Sequence, residues 1–293
     1  FQRYAVIDKS TLWYGGINFL GFEKVTHGAM RLCSAELAKE FAGEFPSPIV
    51  LAKQGNVLKE LDYKIKDAED ITFYDLRDEE GSRVYQRGVS FLLVKAVQEL
   101  LGDTAHAAIE HSLRGNFYCE IRNPEVKDLP ELVKQLEAKM KEYVAADMPF
   151  RKQTFRKEDA LAIVKKQGMK DKEELFRFRR ASNINLYELD GYYDYFYGYM
   201  PPSTGVLQVF ALLPYENGFL IRFADPKNPA ELIPFEDPKK ISSVFMEQMR
   251  WNQLMGVANV AELNQSIVKG EFGDLIRINE ALHEKKVAQI AEQ

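Results

Sequence analysis

The chain has 293 residues, 46% of them apolar, and a formal net charge of −5. That composition supports globular cores and argues against disorder, while the negative balance supplies no global cationic field for nucleic acid or an anionic membrane. No window approaches the roughly eighteen consecutive apolar residues of a membrane span, and two cysteines, Cys33 and Cys119, fit small core thiols in a reducing cytoplasm rather than a disulfide framework.

The chain opens on Phe1-Gln-Arg-Tyr-Ala-Val-Ile-Asp, not on methionine, and this start has no basic region followed by an apolar run. A secretion signal is therefore not expected, and a trimmed start is. Residues 1–77 read as a small mixed domain. Ser34 to Phe41 has helical spacing, with Leu37, Ala38 and Phe41 on one face. Pro48 to Lys53 reads as a strand, Gln54-Gly55-Asn56 as a turn, and Ile71 to Leu76 as a half-buried strand. Asp78-Glu-Glu-Gly81-Ser reads as a polar hinge and a first boundary.

A helix follows, with Leu92, Leu93, Ala96, Val97 and Leu100 at helical spacing and Gly102 as its stop. His106 to Glu110 and Asn116 to Ile121 are strand-like and joined around Arg114-Gly115. Leu129 to Val144 predicts a longer helix with Leu132, Val133, Leu136, Met140, Tyr143 and Val144 in one stripe. Lys157 to Lys166, closed at Gly168, and Lys170 to Arg180 predict two more. The pattern then turns to strands: Asn183 to Leu189 alternates, and Val206 to Leu213 pairs with Gly218 to Phe223 in a hairpin across Glu216-Asn217. Pro226, Pro229 and Pro234 mark a loop and a second boundary, near residue 228, and from about Asp237 the chain is helical. The fold class is α+β.

Three groups of residues carry candidate chemistry. If residues 192–199 form a strand, Tyr193, Tyr195, Tyr197 and Tyr199 share one face and Phe196 takes the other; such a row is either a stacking platform for single-stranded nucleic acid or an aromatic core. Arg151, Lys152, Arg156, Lys157, Arg177, Arg179 and Arg180 form the densest positive concentration, a phosphate-contacting patch or a solvated face interleaved with Glu158, Asp159, Glu173 and Glu174. Glu110-His111-Ser112 has the residue types of a hydrolase triad, but neighbours on a strand point to opposite faces, which argues against a local triad. The remaining histidines, His27, His106 and His283, have no metal-ligand spacing.

Specific strings then narrow the reading. Pro48-Ile-Val-Leu-Ala-Lys-Gln-Gly-Asn-Val-Leu-Lys-Glu-Leu61 resembles a TGS domain, a small ubiquitin-like β-grasp fold, with Gln54-Gly55 departing from its pattern. Gly115-Asn-Phe-Tyr-Cys-Glu-Ile, Leu136-Glu-Ala-Lys-Met140 and Pro202-Ser-Thr-Gly205 resemble, in order, the editing domain of threonyl-tRNA synthetases over about residues 83–225. That resemblance implies an editing site lined by His-x-x-x-His and Cys-x-x-x-His. The matching positions here are Arg87, Phe91, Phe196 and Met200, with Tyr195, Tyr197, Tyr199, Ser203 and Thr204 as cleft neighbours. Guanidinium stays protonated and cannot ligate a metal; rings and a thioether supply no general base. No catalytic residue and no metal are therefore expected. The cleft is either an aromatic, single-cation pocket for a flat base or a cavity filled by its own rings.

A further resemblance covers the run from Phe176-Arg-Phe-Arg-Arg to Gly205, Trp251-Asn, and Asn279-Glu-Ala-Leu-His-Glu-Lys-Lys-Val-Ala-Gln-Ile-Ala291. These strings are similar to bacterial uridine-kinase-like proteins of the phosphoribulokinase/uridine kinase family, in which TGS and editing-like domains precede a kinase domain. The chain has no G-x-x-x-x-G-K-[ST] phosphate loop. The resemblance implies a TGS-like domain at 1–77, an editing-like domain at 78–228 and a helical linker at 229–293. It also implies a binding or regulatory role toward the chain's own carboxy-terminal kinase domain, with ATP and magnesium needed only by that kinase. A nucleoside, nucleotide or RNA is the expected ligand class. The alternatives are an aminoacyl-tRNA deacylase and an RNA-binding module.

Overall fold

Helix α1 (Glu79–Leu101) organises the first part of the molecule. Its opening turn carries Glu79 and Glu80, which suit the positive end of the helix dipole, and Asp78 stands at its N-cap position. The polar stretch at 78–82 is therefore the first turn of a 23-residue helix rather than a hinge. Val84, Val89, Phe91, Leu92, Leu93, Ala96 and Val97 are buried along it. The helix ends where Gly102 takes φ 82°. The computed structural model describes residues 3–7, 11–15, 30–33, 47–63, 71–122 and 126–292, and side-chain surroundings from Ser47 onward, Ile71 apart. The helix expected at Ser34–Phe41, and His27, lie outside the described residues.

The chain divides into two compact units, Phe1–Lys152 with Tyr187–Phe235, and Gln153–Leu186 with Glu236–Gln293. Among the described residues, three antiparallel sheets lie wholly in the first unit. β1 (Arg3–Ile7), β2 (Thr11–Gly15) and β3 (Met30–Cys33) make one in that order. β4 (Leu51–Gln54) lies between β5 (Val57–Lys59) and β6 (Ile71–Tyr74) in the second, with the β4–β5 turn at Gly55-Asn56. The third runs β12-β13-β8-β7, from β7 (His106–Leu113), β8 (Asn116–Arg122), β12 (Phe210–Tyr215) and β13 (Gly218–Asp225).

Helix α2 (Leu129–Ala146) buries the expected stripe of Leu132, Val133, Leu136, Met140, Tyr143 and Val144, and packs against α1 and β12. Asp128 caps it by accepting from the Glu131 N–H at 3.1 Å. The third sheet's core is Tyr118, Cys119, Phe219, Leu220, Ile221 and Phe223. Two-residue turns at Arg114-Gly115 and Glu216-Asn217 close its hairpins, with positive φ at Arg114, Gly115 and Glu216.

Two expectations are corrected here. The proline-marked loop after Phe223 contains a strand, β14 (Asn228–Leu232), on the edge of β13. An edge strand tolerates Pro229 because its unpaired side needs no N–H. The hairpin strand expected from Val206 starts only at Phe210, and Val206 instead closes a 3-10 turn at 204–206.

The chain leaves the first unit along β9 (Arg151–Arg156) and returns along β10 (Asn183–Leu189). In the second unit, α3 (Lys157–Lys166) and α4 (Lys170–Phe178) pack together around Ala160, Val164, Met169 and Phe176. The three helices α5 (Lys239–Leu254), α6 (Val260–Lys269) and α7 (Phe272–Ala291) follow. α4 packs on α6, and α6 on α7. The Lys286 ammonium meets Glu247 at 2.8 Å, tying α7 to α5. No helix among the described residues is long and apolar enough to cross a membrane.

Candidate functional site

Arg87, Phe91 and Lys95 are four residues apart on α1, so they lie on one face of the helix. The second piece of the site follows β11 (Tyr192–Asp194), which pairs with the end of β10 through Tyr187↔Asp194. The strand stops at Asp194, so residues 195–200 are irregular. The expected single face of Tyr193, Tyr195, Tyr197 and Tyr199 therefore does not form. Gly198 shows why: it takes φ 124°, and a Cβ there would stand 2.6 Å from the Arg87 Cζ. The backbone turns away from strand geometry so that the guanidinium can lie against it. Tyr192 is buried, Tyr193, Tyr195 and Tyr199 are half-buried, and Tyr197 is 88% exposed.

Two close approaches lock the pieces together. Gly88 lets Pro201 and Leu207 reach α1, since a Cβ there would be 2.7 Å from Pro201 Cγ. Arg87 Nη1 donates to the Tyr199 carbonyl at 3.0 Å. Burial holds the Arg87 guanidinium below its usual value, partly offset by Glu80 and Tyr187. Arg87 is thus a clamp on the neighbouring backbone.

The centre of the site is made of rings. Phe91 is 0% exposed. It stacks on Phe196 with centroids 5.3 Å apart, and meets Phe150 and Tyr192 edge to face at 5.5 and 5.8 Å. These separations are those of favourable aromatic pairs, each contributing about 0.5–1.5 kcal/mol beyond area burial. Met200 is 2% exposed. Phe91 and Phe196 therefore meet directly, and Arg87 bonds to the residue before Met200.

Ser203 and Thr204 are committed to the end of α2. Thr204 Oγ1 donates to the Tyr143 carbonyl at 2.6 Å and accepts from the Met148 N–H at 2.8 Å. Ser203 Oγ and the Gly205 N–H both donate to Asp147 Oδ1, at 2.5 and 3.0 Å. Asp147, at φ 48°, ends the helix in the left-handed region, and these bonds fasten that end.

A second polar cluster lies beside the loop. Glu60, after β5, accepts from the Tyr187 phenol and from the Met200 N–H, the latter at 3.1 Å. Lys152 Nζ stands 3.4 Å from the same carboxylate and over the rings of Tyr187 and Tyr199. Tyr187 also donates to the Gly198 carbonyl at 2.7 Å. Burial, then Glu60, pushes the Tyr187 phenol up, so it remains a neutral donor. Sequence reasoning saw Glu60 only within a TGS-like string and Lys152 only within a basic run. Nothing local marks a contact made across 92 to 140 residues.

The other candidates resolve as follows. Lys157 Nζ donates to the carbonyls of Arg177 and Arg179 at the end of α4, Arg177 pairs with Glu173, and Arg151 approaches Glu188. Arg156 and Arg180 are exposed. His111 stacks on Tyr118 at 5.0 Å, and burial holds its imidazole below the usual value. Cys119 is buried, and burial pushes its thiol up, away from the reactive thiolate. Among the described residues, no group of His, Cys, Asp and Glu has the arrangement of a metal site.

The fold is thus an α+β assembly of antiparallel sheets, and the candidate site is a packed group of aromatic rings beside one clamped guanidinium. No family model matches the chain. Among curated proteins it is similar to threonine–tRNA ligases. That of Carboxydothermus hydrogenoformans is 27% identical over 183 residues, which are 62% of this chain and 28% of the ligase. That of Methylobacillus flagellatus is 28% identical over 182 residues, 61% of this chain and 28% of the ligase. That of Methylococcus capsulatus is 29% identical over 157 residues, 53% of this chain and 24% of the ligase. The chain carries a region like that of threonyl-tRNA synthetases, and the matched stretch spans only about a quarter of each ligase.

Proposed function

We propose that this chain is a non-hydrolytic binding and regulatory region, built on the scaffold of a threonyl-tRNA synthetase editing domain. The observation that carries the reading is the packing of Phe91 against Phe196, Phe150 and Tyr192, at the place where the resemblance would put imidazoles and a thiolate. A phenyl ring, a lone thioether and a clamped guanidinium cannot take a proton from water, and one soft thioether does not make a hydrolytic metal site. The cleft is filled by its own side chains.

On this reading the chain comprises a TGS-like domain at 1–77, an editing-like domain at 78–228 and a helical linker at 229–293. It works in the cytoplasm beside the kinase domain of a uridine-kinase-like protein, and only that domain needs ATP and magnesium. The strings at Trp251-Asn and Asn279–Ala291 support this parent. Exposed Ile241, Val244, Val268 and Ile290 on α5, α6 and α7 suit contact with further protein. A phosphate-loop string encoded shortly after Gln293 is the expected genomic result; its absence would remove the parent.

The activity test is single-turnover deacylation across a set of aminoacyl-tRNAs with the protein in excess. The expected rate equals that in buffer. A rate above buffer that disappears in Arg87→Ala would establish a deacylase and end this reading. An RNA-binding role is the second reading, favoured by the similarity to tRNA ligases and by exposed Arg156 and Arg180. Filter binding of tRNA at two salt concentrations separates the two: an RNA module loses affinity steeply with salt, and a protein-directed module shows no saturable tRNA binding.

A further inference from the structure

Three donors from different parts of the first unit converge on one carboxylate: the Tyr187 phenol, the Met200 N–H and the Lys152 ammonium all address Glu60. A cation, a neutral hydroxyl and a backbone amide around one point are the elements of an oxyanion site. The anion they hold comes from the residue that follows β5, and its side chain is only 14% exposed. The donors do not depend on Glu60 for their places. Tyr187 also reaches the Gly198 carbonyl, Arg87 holds the Tyr199 carbonyl, and Lys152 lies over two tyrosine rings. With one proton to give, Tyr187 shares it between Glu60 and Gly198, so Glu60 is held less completely than three dedicated donors would hold it.

We infer that Tyr187, Met200 N–H and Lys152 form an oxyanion-binding site that Glu60 occupies in cis, and that a small soluble ligand bearing a phosphate or carboxylate group competes with Glu60 for it. The site lies at the edge of the ring-filled cleft and does not require that cleft to open. It goes beyond the non-hydrolytic reading and survives if that reading fails, because no side chain of the four editing-like positions takes part and Met200 contributes only its backbone N–H. Its consequence is a coupling. Ligand binding releases Glu60, and with it the tie between the small sheet and the loop that carries Phe196 and Met200.

Isothermal titration with inorganic phosphate, and separately with acetate, tests this on the whole chain. Wild-type protein should bind either anion weakly, because Glu60 is already in place. Glu60→Ala should bind at least one of them tenfold or more tightly, and which one it is identifies the ligand chemistry. Adding Lys152→Met to Glu60→Ala should return the affinity to the wild-type level. If Glu60→Ala does not fold, Glu60→Gln keeps the side-chain volume and removes the charge, and should show the same direction of change. A folded Glu60 variant that binds neither anion better than wild type overturns the inference. So does a gain that Lys152→Met leaves intact.

Discussion

Replacing Phe91 by alanine probes the ring packing at the candidate site most sharply. The ring is wholly buried and touches three others, Phe196, Phe150 and Tyr192. Losing the transfer of that ring from water costs about 2–3 kcal/mol. The cavity left among side chains that relax only in part brings the total to about 4 kcal/mol, within the about 3–5 kcal/mol range for buried Phe→Ala changes. Phe91→Leu keeps most of the volume and should cost about 1.5 kcal/mol. Because the chain has two units, one global transition is an unsafe measure of this loss. Urea dependence of amide exchange in α1 reads the first unit alone. The loss should also appear as a weaker near-ultraviolet tyrosine signal, from Tyr192. If Phe91→Ala costs less than about 1 kcal/mol, the size expected of a surface change, the ring faces an open, hydrated pocket and the reasoning fails.

Three further perturbations follow from the packing. Gly88→Ala would gain about 1 kcal/mol of helix propensity in isolation, but its Cβ would meet the stiff Pro201 ring at 2.7 Å. Net destabilisation of about 1 kcal/mol is expected in urea titration, and a stabilised variant contradicts the close approach. Lys95 is 3% exposed and pairs with Glu99 at 2.5 Å. Burial works against ionising Glu99, but its bonds from Lys95 and Tyr143 outweigh it and hold the carboxyl below its usual value. Glu99→Ala should therefore cost about 2 kcal/mol by leaving a buried ammonium with only the distant Asp190 carboxylate, at 3.9 Å, while Lys95→Met should stay within about 1 kcal/mol of wild type; a reversed order refutes the assignment. The Glu99 contribution is present above the unfolded carboxyl value and lost as pH falls through the lowered folded one. His111 titrates in a higher window: burial sets its folded value below 6.5, so stability should fall as pH drops through 6.5 toward that lower folded value. His111→Phe should flatten that slope in melts across the pH series.

The helices were legible because their stripes are regular. Leu129 to Val144 predicted its buried face residue by residue, and Gly102 and Gly168 marked stops that the backbone uses through positive φ. Hairpin turns were legible for the same reason, since Glu216-Asn217 and Arg114-Gly115 demand conformations few residues adopt. What failed was set by distant contacts. A run of alternating tyrosines has strand periodicity, yet Arg87, 112 residues away, holds the Tyr199 carbonyl and the strand ends at Asp194. β14 hid behind three prolines because edge position is a property of the sheet and not of the segment. At the site, Arg87, Phe91, Phe196 and Met200 could be named from their strings. Their state could not, because whether a cleft is filled depends on Phe150 and Tyr192 as much as on Phe91 and Phe196. Glu60, Lys152 and Tyr187 carried no local signal at all.

The central claim is that the editing-like cleft is occupied by its own rings. Titration with uncharged nucleosides, following the aromatic resonances of Phe91, Phe196 and Tyr192, tests it most directly. The account predicts no saturable shift at any of the three. A saturable shift shared by Phe91 and Phe196 would show a ligand between them and contradict it.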